Sequence, residues 1–311
     1  MNTTHAHPSP SPSPSPSPSS SPSPSPSPSP ERSAKTFLIT GVSSGFGRAI
    51  ADRALAQGHV VVGTVRNSEA ARDFERLCPG RAHARLHDVT ALELAAPLVA
   101  GIEADIGPID ILINNAGYGH EGILEESPIE ELLRQFQVNV FGAVAMMKAV
   151  LPFMRGRRAG RLFNTTSMGG FITMPGITYY CGSKFALEGL SEALGKEVAG
   201  LGITVTAIAP GSFRTDWAGR SMVRSARGIA DYDAVFDPIR ARRQAVSGRQ
   251  LGDPALAAGV IVDLAVGEAP PPAHLLLGSD ALDLVQQKLA SMSASIEAWR
   301  EVTVSTDAPI A

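Results

Sequence analysis

A tyrosine and a lysine four positions apart are the residues of this sequence best suited to moving a proton. Tyr180 and Lys184 belong to a segment whose periodicity predicts a helix, so their side chains lie on one face, one turn apart. Hydride transfer to a carbonyl builds negative charge on the oxygen, which needs a proton, and the reverse reaction must remove one. The pair therefore predicts acid-base chemistry on an alcohol or ketone, with Tyr180 as the proton-transfer residue.

The acidity of Tyr180 determines how well it can serve this purpose. An isolated tyrosine has a pKa of about 10, and lowering that pKa by about three units takes ~4 kcal/mol. A single ammonium ion ~4 Å away, at an effective dielectric constant of ~20, supplies about that much. We therefore expect the ammonium group of Lys184 to bring the pKa of Tyr180 close to neutrality almost unaided.

A glycine-rich turn occupies positions 40–47, between a predicted strand and a predicted helix. Glycine is required where a tight turn lets the backbone approach a pyrophosphate, whose charge the helix N-terminus stabilises. The turn predicts a dinucleotide site formed by Gly41, Ser43, Ser44, Gly45, Phe46 and Gly47. The alternative is a strand-to-helix turn that merely tolerates glycine.

The end of the second predicted strand bears on which dinucleotide is bound. A carboxylate about twenty residues past the glycines would bind the ribose 2′-hydroxyl of NAD and repel the additional phosphate of NADP. The sequence has Val65-Arg66 there, without an acid, and a guanidinium group matches a phosphate. NADP(H) is therefore the preferred prediction. NAD(H), with Arg66 as a surface residue that caps a strand, is the alternative.

Further motifs follow in a fixed order along the chain. They are Asp88, Asn114-Asn115-Ala116-Gly117, Asn139, Ser167, Tyr180-Cys181-Gly182-Ser183-Lys184, Pro210-Gly211 and Thr215. Together with three residues between the first two glycines of the turn and one before the third, this set resembles the classical short-chain dehydrogenase/reductase family. The resemblance is strong over residues 35–218 and looser to about Arg300, and residues 114–213 look most like the 17β-hydroxysteroid dehydrogenase-like branch.

The resemblance implies roles for the other polar residues. Ser167 would hydrogen-bond and orient the substrate oxygen, Asn139 would hold a water that relays protons, and Lys184 would also bind the nicotinamide ribose. A strand-end hydroxyl and a helix-kinking amide are the alternatives for Ser167 and Asn139. An amide inside an apolar helical run is costly unless it is satisfied, so Asn139 is expected to have a partner.

The same resemblance extends the cofactor site beyond the glycine turn. Asp88 and Val89 would contact the adenine ring, and Thr215 would contact the nicotinamide carboxamide. The remaining contacts would come from Asn115, Ala116, Gly117, Pro210, Gly211 and Phe213. Asp88, which precedes Thr90, could instead be a helix cap, and the Asn-Asn-Ala-Gly turn could be structural, which is the favoured role for Asn114.

Short β-branched runs alternate with helical periodicity from Thr36 onward, which predicts a single α/β Rossmann-type domain with a doubly wound, seven-stranded parallel sheet. The predicted strands are residues 36–40, 60–65, 82–86, 109–113, 161–165, 203–208 and 274–277. The clearest predicted helices are residues 45–57, 128–155, 178–200, 253–266 and 279–300. Residues 212–250 show no clear element, and a loop of that length is usually functional.

The first residues differ from the rest of the chain. Ser and Pro alternate almost without interruption from Pro8 to Pro30, a composition that cannot bury apolar surface. We expect an extended tail over residues 1–33 and one domain over residues 34–305, which includes the substrate loop 212–250. The tail lacks the apolar core of a secretory signal and the character of a transit peptide.

Composition narrows the partners and the location. A net charge of −3 without blocks of like charge argues against nucleic acid, and no apolar run approaches the ~20 residues of a membrane span. Two cysteines are too few for a disulfide scaffold, which favours the cytoplasm. His83 and His87 lack partners at ligand spacing, so no metal is predicted. By family analogy we expect a homodimer or homotetramer through helices 128–155 and 178–200.

The leading hypothesis is an NADP-preferring oxidoreductase that interconverts a ketone or aldehyde and an alcohol on a small hydrophobic, steroid- or lipid-like substrate. An epimerase or dehydratase that uses the nicotinamide transiently is a second enzymatic possibility. An NADP-binding sensor without turnover is the alternative from another class. The intact set of Ser167, Tyr180, Lys184 and Asn139 favours catalysis.

Overall fold

A computed structural model describes residues 1–3, 34–215, 217, 219 and 221–308. A compact unit begins at Ala34. The predicted Ser-Pro tail falls almost entirely outside the described residues.

Seven parallel strands form the central sheet, in the order β3-β2-β1-β4-β6-β7-β9, and two short strands, β5 and β8, pair separately. The bounds are β1 Thr36–Thr40, β2 Val60–Val65, β3 Ala82–Leu86, β4 Ile111–Asn114, β5 Gly119–Glu121, β6 Gly160–Thr165, β7 Ile203–Pro210, β8 Met222–Arg224 and β9 His274–Leu277. Phe37, Leu38 and Ile39 of β1 are completely buried, as expected for a strand covered on both faces. The predicted doubly wound α/β fold is confirmed.

Helices cover both faces of the sheet. They are α1 Gly45–Ala56, α2 Ser68–Glu75, α3 Ala95–Asp105, α4 Ile129–Phe136, α5 Gly142–Arg157, α6 Thr178–Val198, α7 Asp233–Ala245, α8 Pro254–Val266, α9 Ser279–Ala298 and α10 Arg300–Val304. One apolar core joins the sheet to α1 and α8, with Ile50 and Ile261 among its buried members. The other joins the opposite face to α3 and α5, with Val99 and Val150 buried.

The structure departs from the prediction at the fourth strand of the sheet and in the segment predicted to be irregular. The strand expected at residues 109–113 begins at Ile111 and runs to Asn114, because the backbone N–H of Ile109 donates to Glu103 Oε1 instead of to a neighbouring strand. The segment 212–250, expected to be irregular, contains β8 and the 13-residue helix α7. The predicted substrate loop therefore contains regular structure.

The long helix predicted at residues 128–155 runs from Ile129 to Arg157, but a π-helical segment at Gln137–Phe141 separates α4 from α5. By length and composition alone, this stretch of the described chain could cross a bilayer. Its apolar side chains Met146, Val150 and Met154 are buried in the core between sheet and helices. A buried core helix has the same composition, so the finding is weak evidence for a membrane span.

Candidate active site

The carboxyl ends of four neighbouring strands bring the predicted residues to one edge of the sheet. The glycine turn follows β1, Asn115 follows β4, Ser167 follows β6 and Gly211 follows β7. The strand order reverses between β1 and β4, which is where open α/β sheets bind their ligands. The strand order therefore brings residues that are distant in the sequence to one edge of the sheet.

The glycines of the turn have a backbone conformation or a close neighbour that a side chain would disturb. Gly41 and Gly45 have φ angles of 74° and 61°, in the left-handed region that favours glycine. A Cβ on Gly47 would overlap the Gly41 carbonyl oxygen and Asn115 Nδ2. Ser44 precedes α1 without making a side-chain cap, so backbone N–H groups of the first helical turn stay available to an anion.

Asn115 and Ala116 fix the turn from the neighbouring strand. Asn115 Nδ2 donates to the carbonyl oxygens of Thr40 and Gly41, both at 3.0 Å. The backbone N–H groups of Asn115 and Ala116 donate to Thr40 Oγ1 at 2.9 and 3.0 Å. Asn115 is thus committed to shaping the turn. Asn114 is fully inside the sheet and donates to Asn164 Oδ1 at 2.9 Å, which agrees with a structural role.

The loop after β7 closes over the same turn. The Phe213 ring lies 5.0 Å from the Phe46 ring, and the Gly211 N–H donates to the Leu277 carbonyl oxygen at 2.8 Å, next to Pro210 at the end of β7. A Cβ on Gly45 would lie 3.9 Å from Thr215 Cβ. Thr215 therefore lies beside the mouth of the glycine turn.

The predicted adenine end contains Arg66, Asp88 and Val89. The exposed Asp88 carboxylate accepts from the backbone N–H and the hydroxyl of Thr90, at 2.9 and 2.8 Å. The backbone hydrogen bond, mainly, lowers the pKa of Asp88, and the charge of Arg66 adds to this effect. Asp88 therefore makes the local cap, and Arg66 lies close enough to act on its charge. Buried Val89 packs against Gly142 of α5.

The π-helical segment presents Asn139 to the site, in keeping with the tendency of such segments to occur at functional positions. Asn139 Nδ2 donates to the Tyr118 carbonyl oxygen and to Ser183 Oγ, and Oδ1 accepts from the Tyr118 N–H, all at 3.1 Å. A Cβ on Gly117 would lie 3.1 Å from Asn139 Oδ1 and 3.7 Å from Lys184 Nζ. The amide is satisfied, and its oxygen and the lysine ammonium converge at Gly117.

Ser167 and Tyr180 converge at a second glycine. Ser167 Oγ accepts from the Gly169 N–H at 3.0 Å. A Cβ on Gly169 would lie 3.3 Å from Tyr180 Cε1 and 3.4 Å from Ser167 Oγ. The serine hydroxyl and the phenol ring therefore flank the same small residue.

The electrostatics of Tyr180 differ from the expectation. Burial raises the pKa of Tyr180, and the neighbouring Ser167 and Trp217 side chains counteract this in part. Lys184 Nζ lies 5.7 Å from the centre of the phenol ring and donates to the Thr165 carbonyl oxygen at 2.8 Å. The expectation that Lys184 brings the pKa of Tyr180 near neutrality was wrong for this structure, because desolvation of the phenolate outweighs a lysine directed elsewhere.

Glu188 is a polar neighbour of the site that the sequence argument missed. Burial lowers the pKa of Lys184 to about 8, and the charge of Glu188 opposes this effect. The buried Glu188 carboxyl accepts a short bond from the Thr166 hydroxyl, and its Oε2 lies 2.9 Å from His274 Nδ1. The available signal was its spacing, because Glu188 follows Lys184 by one helical turn.

The aromatic and apolar side chains around the site divide into two groups. Trp217 lies 5.0 Å from the Tyr180 ring, and Met174 packs on the same cluster of Ile177, Tyr180 and Cys181. By contrast, the His120 ring stacks on Tyr179, whose hydroxyl donates to the Ser127 carbonyl oxygen, and Phe171 meets His274. Trp217 and Met174 thus pack on the cluster that contains Tyr180.

Comparison with known proteins places the chain in a family. The model of the short chain dehydrogenase family matches residues 35–224. The chain is 34% identical over 273 residues to oxidoreductase BOA17 of Botryotinia fuckeliana, covering 88% of this chain and 99% of that protein. It is 43% identical over 178 residues to 3-ketodihydrosphingosine reductase of Bacteroides thetaiotaomicron, covering 57% of this chain and 64% of that enzyme.

A solved structure agrees with these relatives. The crystal structure of a short-chain dehydrogenase from Streptomyces avermitilis matches 89% of this chain and all of its own, with 40% sequence identity and a TM-score of 0.82. The chain belongs to the short-chain dehydrogenase family and is an NAD(P)-dependent oxidoreductase. The uncapped start of α1 and the cradle formed by Gly41 and Gly47 fit the pyrophosphate of such a cofactor.

Proposed function

We propose that this protein reduces a ketone to a secondary alcohol, or catalyses the reverse reaction, with Tyr180 as acid and base. The supporting observation is that Ser167 and Tyr180 flank Gly169 while Asn139 and Lys184 converge at Gly117. These two pairs come from β6, α6 and the π-helical segment, and they lie at the same sheet edge as the glycine turn.

Each residue has a distinct part in the proposed reaction. The nicotinamide cofactor, when bound, donates or accepts the hydride. The Tyr180 hydroxyl gives its proton to the carbonyl oxygen, which Ser167 Oγ holds by a hydrogen bond. The charge of Lys184, 5.7 Å from the centre of the ring, favours the resulting phenolate although burial outweighs it, and Asn139 would hold a water that relays protons. Because burial favours the protonated phenol, Tyr180 would act as the acid when the reaction runs as a reduction.

We further propose a preference for NADP(H), with NAD(H) as the alternative. Arg66 lies exposed just past the end of β2, beside the asparagine that caps α2. A guanidinium group at this position can bind the ribose phosphate in two-pronged geometry. The preference rests on Arg66 alone.

For the substrate we propose a small hydrophobic ketone of lipid-like shape. Support comes from the apolar cluster of Met174, Ile177, Cys181 and Trp217 around Tyr180, and from a relative named for reducing a 3-keto sphingoid base. The steroid-like branch remains a prediction, as does a cytoplasmic location. The alternative of a sensor without turnover finds no support in the comparisons.

The test is turnover of a panel of hydrophobic ketones by the wild type and by Tyr180→Phe, with NADPH and NADH in parallel. We expect the variant to lose at least about a hundredfold in kcat because the acid is gone, while cofactor binding, followed by fluorescence, is retained. Turnover that survives in Tyr180→Phe would refute the assignment.

An Arg66→Ser arm of the same titration tests the cofactor preference. We expect NADPH to bind less tightly by roughly tenfold, since a charge-assisted contact is lost, while NADH binding changes little. Equal losses for the two cofactors would mean that Arg66 does not read the phosphate.

A further inference from the structure

Helix α7 packs against the turn before α6 through its one buried side chain. Phe236 is only 1% exposed, and a Cβ on Gly176 would overlap its ring. Gly176 belongs to the turn just before α6, which carries Tyr180. The side chains four and seven positions after Phe236 share its face of the helix, so Arg240 and Arg243 are directed toward the same wall.

These two arginines and a third meet one buried carboxylate. Glu121 is 1% exposed and lies 3.1 Å from Arg224, 3.3 Å from Arg240 and 3.3 Å from Arg243. Arg240 and Arg243 alone already place two guanidinium groups on this single carboxylate. Three further acids of this region, Glu126, Asp233 and Asp237, pair with Arg227 instead. Arg240 and Arg243 together thus exceed Glu121 by one positive charge.

Arg240 has donors to spare. Its contact with Glu121 runs through Nε, and within the described chain its two terminal nitrogens have no hydrogen-bond partner. Its side chain is 28% exposed, so it is reachable from solvent. Arg243 is more committed, because it also donates to the Pro175 carbonyl oxygen at 2.7 Å.

The arginines border the apolar cluster that contains Tyr180. Pro175 and Gly176 directly precede Ile177, and Ile177 packs with Tyr180 and Cys181. Although burial raises the pKa of the Cys181 thiol overall, the charge of Arg243 acts to lower it, which places this charge close to the residue beside Tyr180. Gly119, two residues before Glu121 on the same face of β5, lies against Trp217 and Met222. The apolar surface around Tyr180 therefore ends at a cationic one.

We propose that Arg240, supported by Arg243, binds a carboxylate carried by the substrate, so that the preferred substrate is an apolar ketone with an acidic end. This inference rests on the proposed ketone reduction and adds the substrate class to it. Arg240 is the specificity residue, because a guanidinium fork with free terminal nitrogens matches a carboxylate. Glu121 holds the two arginines in place and neutralises only one of their two positive charges.

The test compares a ladder of linear methyl-ketone carboxylic acids of increasing length with the matching primary amides. In the wild type we expect kcat/KM for the best acid to exceed that of its amide by roughly tenfold, the value of one partly exposed charge-assisted bond. Arg240→Gln should bring this ratio close to one, and Arg240→Lys should restore part of it.

Arg242→Gln is the matched control, since Arg242 lies on the same helix, is exposed and makes no ion pair within the described chain. It should keep the wild-type ratio. Equal kcat/KM for acids and amides in the wild type, or equal ratios in Arg240→Gln and Arg242→Gln, would overturn the proposal. Thermal unfolding of each variant shows whether the fold is retained.

Calorimetric titration of the NADPH-loaded protein with the same compounds separates this proposal from the one it rests on. If no ketone turns over but acids bind more tightly than amides, and Arg240→Gln removes the difference, the carboxylate site stands and the proposed reduction fails. If acids and amides bind alike, the carboxylate site fails whether or not ketones are reduced.

Discussion

Lys184 holds its ammonium group in a buried position, and this has a measurable effect on stability. Its pKa is about 8 in the folded protein, against 10.5 for an exposed lysine. Between pH 8 and 10 this lysine therefore binds more protons in the unfolded chain than in the folded one, so its contribution to the free energy of unfolding rises with pH in this window. Above pH 10 the raised pKa of Tyr180 acts in the opposite direction.

We predict that Lys184→Met removes this rise. Relative to the variant, the wild type should gain about 2 kcal/mol in its free energy of unfolding between pH 8 and 10, as measured by urea denaturation at each pH. Lys196→Met on the same helix, where the ammonium is exposed, should keep the wild-type dependence. Parallel curves for wild type and Lys184→Met would contradict the prediction.

At the scale of residues, the spacing of side chains along the chain was enough to predict which of them lie together, but not the pKa values that their buried surroundings produce. The four-residue separation of Tyr180 and Lys184 was sufficient to place both on one helix face, and the structure has that helix. The pKa of Tyr180 depends on burial by Trp217 and the apolar cluster, which are brought to it only by folding. Glu188 and Glu121 belonged to no motif used in the sequence argument, so their roles required coordinates.

Helix α7 is an element whose order depends on one buried side chain. We predict that Phe236→Ala frees the helix from the Gly176 turn, so that trypsin cleaves at the arginines of residues 240–249 several-fold faster. The lost burial is worth about 3 kcal/mol or more, yet the global unfolding midpoint should move less than this implies, because the helix opens locally before the sheet unfolds.

Mass spectrometry of the tryptic fragments locates the cleavages. Val235→Ala is the matched control, because Val235 is the neighbouring residue and is 57% exposed. If both variants are cleaved at the wild-type rate, Phe236 is not what holds the helix in place.

The elements that the sequence predicted best are the buried strands and the helices next to them, since their apolar runs are long. Helix α7 was missed because Phe236 is its only buried residue and Pro238 interrupts the helical pattern. Strands β5 and β8 have three residues each, too few to show an alternation. Both misses fall in the wall of the proposed substrate site, where charge clusters replace apolar periodicity.

For the molecule as a whole, we propose self-association through the helices at residues 128–155 and 178–200. Leu133 of α4, Phe141 of the π-helical segment and Phe185 of α6 are 64%, 45% and 41% exposed. Helix α6 contacts both α4 and this segment, so the three side chains come from adjoining elements. Exposed apolar groups on neighbouring helices favour an interface.

We predict that Phe185→Glu shifts the protein toward smaller species in sedimentation-velocity experiments, because a carboxylate would be buried without a partner. Leu256→Glu is the control, since Leu256 is 74% exposed on α8, which covers the opposite face of the sheet. A monomeric wild type, or an equal shift in both variants, would refute this interface.

The π-helical segment at Gln137–Phe141 also sets the angular phase of one long helix. An α-helix advances by about 100° per residue. The wider π-helical turn therefore changes the direction in which all later side chains of the helix point. Before it, Gln135 Nε2 donates to the Tyr118 carbonyl oxygen at the site. After it, Met146 and Val150 enter the core. The residues before the π-helical segment face the site, and those after it face the core. Deleting one residue from the segment would therefore rotate one of these two groups of side chains away from its contacts. The side chains themselves would be chemically unchanged.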